Sequence, residues 1–543
     1  MNKRLIAGIT LAAGIISTVG IGGYLRMPKN DINTGHADVF RTSTAMPIET
    51  TDPARYSALD TSNILSALSV GLYTTDSAGN AVPAMADGSP SVSKDGRDYT
   101  FKLQNDYRWN DGSPVTADDY VYAWQRAVDP RSHARYASRL DILDNAAAIR
   151  NGTMSPDKLA VSAPNATTLK FKLTAPEPYL KEYLAATIFQ PVSRSFGERV
   201  GFDYGSSDRK VLSNGPFTIA QWSGPKDKHW ELKRNPYYPH HASIGMRQIH
   251  FRVLTQAAAL QRYRAHQLDT VLLTPNELPR FKGNRDLHSV RTESTAYLFF
   301  NSQSGPTANV HVRRAMATGF DKRLLTLSKL ADGSEPLNGL IPSGLMRTTR
   351  GEDYRTATGN LMQYDTVYAA QQWALAQKAL GHRKITLTLN IADNPVATTT
   401  ATFMQSQLEH NLPGLTLRIS KTSLQRRVQL EASGKYDVVF ATWTPFGSDA
   451  AAYLKFSQSG NVQNVSGYSN PTFDHYYGEI TTKYADQPAK RLPIIQRAER
   501  LIITKDVPIA PVMQSGLSYL VRPGIGALPV QPNGAINYSA IQP

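Results

Sequence analysis

Chemistry in this chain would have to come from carboxylates, histidines, hydroxyls and amines, because its 543 residues include no cysteine. That composition removes disulfides, thiolate nucleophiles and Cys-ligated metals. A nucleophilic serine would sit in a Gly-x-Ser-x-Gly elbow, and none occurs. A zinc helix of the His-Glu-x-x-His kind and a Gly-x-x-x-x-Gly-Lys phosphate loop are also missing. Gly524-Ile-Gly526 runs into Pro529 where a dinucleotide fingerprint requires a third glycine, so it reads as a loop. His240-His241 is the only histidine pair; it follows Pro239 and reads as a polar loop rather than a metal site. Carboxylates are plentiful, but spacing singles out no pair. The expectation is a protein that binds rather than catalyses, with no metal and no cofactor.

The most informative stretch runs from Trp109 to Pro130. Tyr99 to Leu103 alternates like a half-buried strand, Asp111-Gly112 is a tight-turn dipeptide, and Pro114 closes the turn. A helix should follow. Thr116 can cap it with Asp119 three residues on, Val121, Trp124 and Val128 fall on one face, and Pro130 stops it. Further along, Asp365 can cap a helix to Leu380, with Ala369, Ala370, Trp373, Ala374 and Leu380 toward one side and Gly381 as its stop. Ile385 to Ile391 alternates as a strand, Thr398 to His410 reads as helix, and Leu415 to Ser420 alternates again. Such a βαβ unit points to parallel α/β structure.

The chain exceeds the roughly 250–300 residues at which one core usually splits, so two or three domains are expected. Its formal net charge of +15 invites a nucleic-acid reading. The basic clusters are short, however (Arg209-Lys210, Arg313-Arg314, Arg426-Arg427), and lack interleaved aromatics, so no nucleic-acid partner is expected. At the N-terminus, Lys3-Arg4 precede an apolar run from Leu5 to Leu25. That run is close to the about 20 residues that span a bilayer. Residues 1–30 read either as a retained signal anchor or as a cleaved signal peptide, and both place the remainder outside the cytoplasm. Without a cysteine, a Cys-linked lipid anchor is excluded.

The wording of Trp109–Pro130 resembles the signature of the oligopeptide-binding proteins of peptide ABC transporters, extracellular solute-binding protein family 5. Other landmarks follow in order. They are Thr51-Asp-Pro53, Ile64 to Tyr73, Ser213 to Phe217, Arg234 to Tyr238, Arg262 through Asp269, Tyr297 to Asn301, Val312 to Ala315 with Phe320 to Lys322, and Gly467 to Asp474. The resemblance implies a two-lobed periplasmic-binding-protein-like α/β fold (type II, cluster C) with an extra inserted domain and a central ligand cleft. It implies a discontinuous first lobe (40–71, 213–297 and 515–543), an insert (72–212) and a further lobe (298–514). Hinges would lie near Ala296 to Asn301 and Pro511 to Ser515. The implied function is the capture of oligopeptides by lobe closure and their delivery to a permease driven by a separate ATPase, by a monomer. A peptide sensor on the same fold, or a binder of a non-peptide hydrophobic ligand, remains the alternative.

Carried over by position, Ser57, Ala58 and Leu59 and then Thr442, Trp443 and Thr444 would supply backbone edges for an extended peptide. Tyr136 and Trp443 would be aromatic walls, and the segment 272–276, with Leu273 and Thr274, a further contact. Trp443 and Tyr136 also have plain structural readings, as core and as amphipathic surface. The charged anchors depart from the family pattern. An Asp that binds a free peptide N-terminus is expected three residues after Trp443, where this chain has Phe446. Phe440 stands in place of an Arg, Glu431 in place of another Arg, and Leu424 in place of an aromatic. Phe440 and Phe446 would make the cleft more apolar. Asp449 is the nearest substitute carboxylate, with helix capping as its other reading.

Overall fold

The structure is a computed structural model that describes residues 38–543 apart from 77–78, 178, 445–448, 462 and 486. The N-terminal apolar run and Phe446 therefore lie outside the described residues. Among the described residues, four sheets carry the fold. Strands Val39–Thr44, Gln248–Val253, His229–Arg234 and Phe217–Ala220 form one of them, in that spatial order. A second four-stranded sheet is built within residues 91–172, and a two-stranded ribbon pairs Tyr73–Thr75 with Ala81–Pro83.

The largest sheet is mixed. Ile385–Ala392 pairs in parallel with Leu415–Thr422 and, at Leu389 and Asn390, with Val438–Trp443. The βαβ expectation holds there, with the intervening helix at Pro395–Asn411. The rest of the sheet is antiparallel, so a parallel α/β class describes only part of it. Leu287–Phe300 pairs antiparallel with Val438–Trp443 on one side and with Ile509–Val521 on the other, and the second ladder breaks register at Arg291/Thr295 and Ala296/Tyr297. These two long strands run between the two large cores. One core is made of residues from Ala296 to Met513 and contains the ends of both strands. The other gathers Phe40 to Phe251 with Tyr519 to Ile541. A small third core holds Ala259, Leu260, Leu273, Phe281 and Leu520.

The sequence signature has a physical basis in Asp119. The helix spans Ala117–Val128, and the Thr116 N–H donates to Asp119 Oδ2 at 2.8 Å as the reciprocal half of a capping box. The same carboxylate accepts from Trp109 Nε1 (3.2 Å) and from the Arg194 N–H (2.8 Å). One buried acid thus ties the turn, the helix start and a remote segment together, and burial pushes its carboxyl above the ordinary range. Val121, Trp124 and Val128 are buried as the spacing predicts, and Trp124 Nε1 donates to the Phe189 carbonyl at 2.9 Å. Gly112 sits at φ +88°, which is why the turn calls for glycine.

The helix Thr366–Leu380 is capped by Asp365, whose carboxylate accepts from the Tyr368 N–H at 2.9 Å, and ends at Gly381 with φ +70°. Its buried stripe is Ala369, Gln372, Trp373 and Ala376; Ala370 and Ala374 face solvent, contrary to expectation. Alanine is too small for its burial to fix the helix face when a tryptophan and the neighbouring helix Val310–Thr318 compete to set it. Among the described residues, no helix is long and apolar enough to cross a membrane.

Candidate functional site: a cavity between the two large cores

A cavity of about 350 Å³ opens where the two cores face each other. One wall comes from the helix Leu59–Leu68 with Ser62, Asn63 and Ser66, and from Tyr56, Tyr136 and Arg139. The segment Glu182 to Thr187 adjoins it, and Gln531 to Ala535 lies beneath. The facing wall contributes Glu293 and Thr444. Gln531 fastens the floor, donating from Nε2 to Thr75 Oγ1 at 2.7 Å.

Tyr136 and Thr444, two of the positions carried over from the family, meet at this cavity. Tyr136 is half-buried; its ring lies 5.0 Å from that of Tyr56, with the Arg139 guanidinium 4.6 Å from its centroid. Its hydroxyl donates to the Ser57 carbonyl at 3.0 Å. Ser57 and Ala58 precede the helix that Leu59 opens, and their backbone groups are already engaged. Glu49 accepts from the Ser57 N–H, from Ser57 Oγ (2.7 Å) and from the Ala58 N–H (3.0 Å), and the Ala58 carbonyl accepts from the Ser62 N–H at 3.0 Å.

The other edge differs. Val438–Trp443 stays paired with Leu287–Phe300 as far as Trp443 opposite Thr295, but its ladder to Ile385–Ala392 ends at Val439. In that register the neighbour ends at Ala392 beside Ala441, so Thr442 and Trp443 extend past it, and Thr442 and Thr444 are exposed. Thr444 Oγ1 is 2.6 Å from Ser294 Oγ. Trp443 is half-buried and packs edge-on against Tyr453 and Phe456, with centroids at 5.1 and 4.6 Å. Phe440 points into the large core and is buried.

The remaining predicted positions lie elsewhere. Leu273 is buried in the small core, whereas its neighbour Leu272 is 43% exposed. Thr274 donates from both its N–H and its hydroxyl to Glu277 Oε2, each at 2.9 Å. Asp449 precedes the helix Ala450–Leu454 but makes no side-chain cap bond. It is buried and accepts from Arg491 Nη2 at 2.7 Å. Arg491 also donates to Tyr179 Oη, so this pair ties residues 450–500 to the segment before residue 180. Glu431 is held by Arg427 one helical turn earlier. His240 and His241 are exposed, and among the described residues no group of His, Asp or Glu could hold a metal ion.

Glu293 escaped notice in the sequence. It is half-buried on the cavity wall, its backbone is fixed by N–H donation to the Pro532 carbonyl (2.6 Å) and by Tyr453 Oη donating to its own carbonyl (3.0 Å), and burial raises its carboxyl above the usual range. No donor or cation among the described residues bonds its side chain. The available signal was a lone acid in the strand Leu287–Phe300, just ahead of the Tyr297 to Asn301 landmark.

Two lobes of mixed α/β structure facing each other across a cleft define a periplasmic-binding type of protein, whose task is to enclose a solute. The model of bacterial extracellular solute-binding proteins, family 5 (middle), matches residues 80–464, and the chain belongs to that family. It is 30% identical over 464 residues to the dipeptide-binding protein of Lactococcus lactis subsp. cremoris, covering 81% of this chain and 84% of that one. It is 26% identical over 541 residues to the periplasmic murein peptide-binding protein MppA of Escherichia coli, covering 98% and 97%. The solved structure of Listeria monocytogenes OppA bound to peptide superposes with a TM-score of 0.78 at 30% identity, over 93% of this chain and 99% of that one.

Proposed function

We propose that this solute-binding protein captures oligopeptides outside the cytoplasm in the cavity between its lobes and delivers them to the permease of an ABC importer powered by separate ATPase subunits. It acts as a monomer, without cofactor and without turning its ligand over. One observation carries the reading: the strand Val438–Trp443 outruns its parallel neighbour, leaving on that side an edge at Thr442–Thr444 with no strand partner among the described residues, and Thr444 brings that edge to the cavity. An open edge beside a polar cavity is what an extended peptide needs in order to add a strand, with main-chain bonds supplying affinity independent of sequence. The names of the relatives support the same ligand class.

Closure would turn on the two strands shared between the cores, near Ala296 to Asn301 and Pro511 to Ser515, where the register breaks supply a place for dihedral change. The first lobe is then 40–71, 213–297 and 515–543, the insert 72–212 and the second lobe 298–514; the split of the two large cores near Ala296 and Met513 supports the limits of the second lobe, while the insert shares one core with the first lobe. The N-terminal segment ties the protein to the membrane or directs its export. Native mass spectrometry of the full chain after incubation with a random peptide library tests the proposal. A distribution of bound peptide masses is expected; a chain that stays empty against the whole library refutes peptide capture.

A further inference from the structure

Most buried charges in this molecule have a partner. Asp52 is held by Arg126, Asp449 by Arg491 and Glu499 by Arg355, each as an ion pair with a buried carboxylate. On the cavity wall Glu293 and Glu182 have no such partner among the described residues, and Glu293 is the one that adjoins the open edge. Withdrawing a carboxylate from water without a cation or donor costs free energy, and folds tolerate this mainly where a ligand later supplies the missing charge. Its backbone is pinned from both sides, which fixes the point on the wall from which the side chain reaches the cavity. It is also next in sequence to Ser294, whose hydroxyl meets that of Thr444 at the end of the open edge. A peptide laid along Thr442–Thr444 would therefore bring one of its ends near Glu293. The alternative carboxylate, Asp449, is already committed to Arg491.

We propose that Glu293 is the anchor for the N-terminal ammonium of the ligand, taking over from the carboxylate that the family resemblance expects three residues after Trp443 and that this chain replaces with Phe446. The inference rests on peptide capture in the cavity and names the end of the peptide that is read. An ammonium is the fitting chemistry because it donates up to three hydrogen bonds and carries the opposite charge, and because exclusion of water strengthens the pair. Burial of the carboxyl, which raises its pKa above the usual range, agrees with this, because a cation brought beside it would offset that cost.

The test uses the full chain and random pentapeptides lacking Lys and Arg, half of them N-acetylated, in competition read by native mass spectrometry. The acetylated half is expected to need about 10- to 100-fold higher concentration for equal occupancy, the size of one charge-assisted hydrogen bond. In Glu293→Gln that gap should close, in Glu293→Asp it should narrow, and in Glu182→Gln, on the opposite wall, it should persist. Equal binding of both halves by the native chain, or a gap that survives Glu293→Gln and Glu293→Asp or disappears in Glu182→Gln, overturns the role of Glu293 and leaves peptide capture standing. A native chain that binds neither half refutes peptide capture itself, and this inference with it.

Discussion

Glu499 and Glu293 are carboxylates of the same length in opposite circumstances. Glu499, fully buried in the core of the 298–514 region, accepts from the Leu340 and Ile341 N–H groups (2.7 and 3.1 Å), from Tyr354 Oη (2.6 Å) and from Arg355 Nη1 (2.6 Å). Glu293, on the cavity wall, has none of these. Lys322 lies between the two cases: it is buried, donates from Nζ to the carbonyls of Leu337 (3.2 Å) and Met362 (3.0 Å), and burial pushes its pKa down to about 7. The core supplies its charges with partners before any ligand comes, whereas the cavity leaves Glu293 without one. A structural acid and a binding acid are thus told apart by the completeness of their partners rather than by depth.

The comparison breaks first, and most visibly, at Glu499. Glu499→Ala leaves Arg355 buried and uncompensated and should lower unfolding free energy by about 3–5 kcal/mol, read by denaturant titration. A loss below about 1 kcal/mol would show that the cluster is not a unit. Lys322 gives the next effect, through pH. Its folded pKa lies below its unfolded value, so the unfolded chain binds more protons between about pH 7 and about pH 10, and stability from this group rises with pH across that window. Lys322→Met should flatten that rise by up to about 4 kcal/mol relative to the native chain, in unfolding titrations run at both ends of the window. Tyr179→Phe, which removes the hydroxyl that meets Arg491, more than three hundred residues along the chain, should cost about 1 kcal/mol in the same assay. Glu293→Gln comes last. With no partner to lose, it should change stability by less than about 1 kcal/mol or raise it, and a larger loss would class Glu293 with Glu499.

What could be read in advance was local. Thr116, Asp119, Trp124 and Pro130 lie within one short segment, and capping, helical spacing and proline arrest each leave a mark there. The helix before Gly381 and the βαβ unit were legible for the same reason. The antiparallel centre of the large sheet was not, because it joins Leu287–Phe300 to Ile509–Val521, strands about two hundred residues apart with no signal in either that names the other. At the site, Tyr136 and Thr444 came from family position. Asp449 could not be recognised as a paired acid while Arg491, its partner, lay far along the chain. In the apolar run Val271-Leu272-Leu273, nothing in the residue types decides which leucine turns inward.

Glu49 already occupies the N–H groups of Ser57 and Ala58. Were the proposed cargo to lie along that segment, it would reach those two donors only by displacing the resident carboxylate. Such an exchange is nearly neutral in the number of hydrogen bonds, so the hold proposed for the cleft would rest on the edge at Thr442–Thr444, and the displaced acid would stand ready to reclaim its place on release.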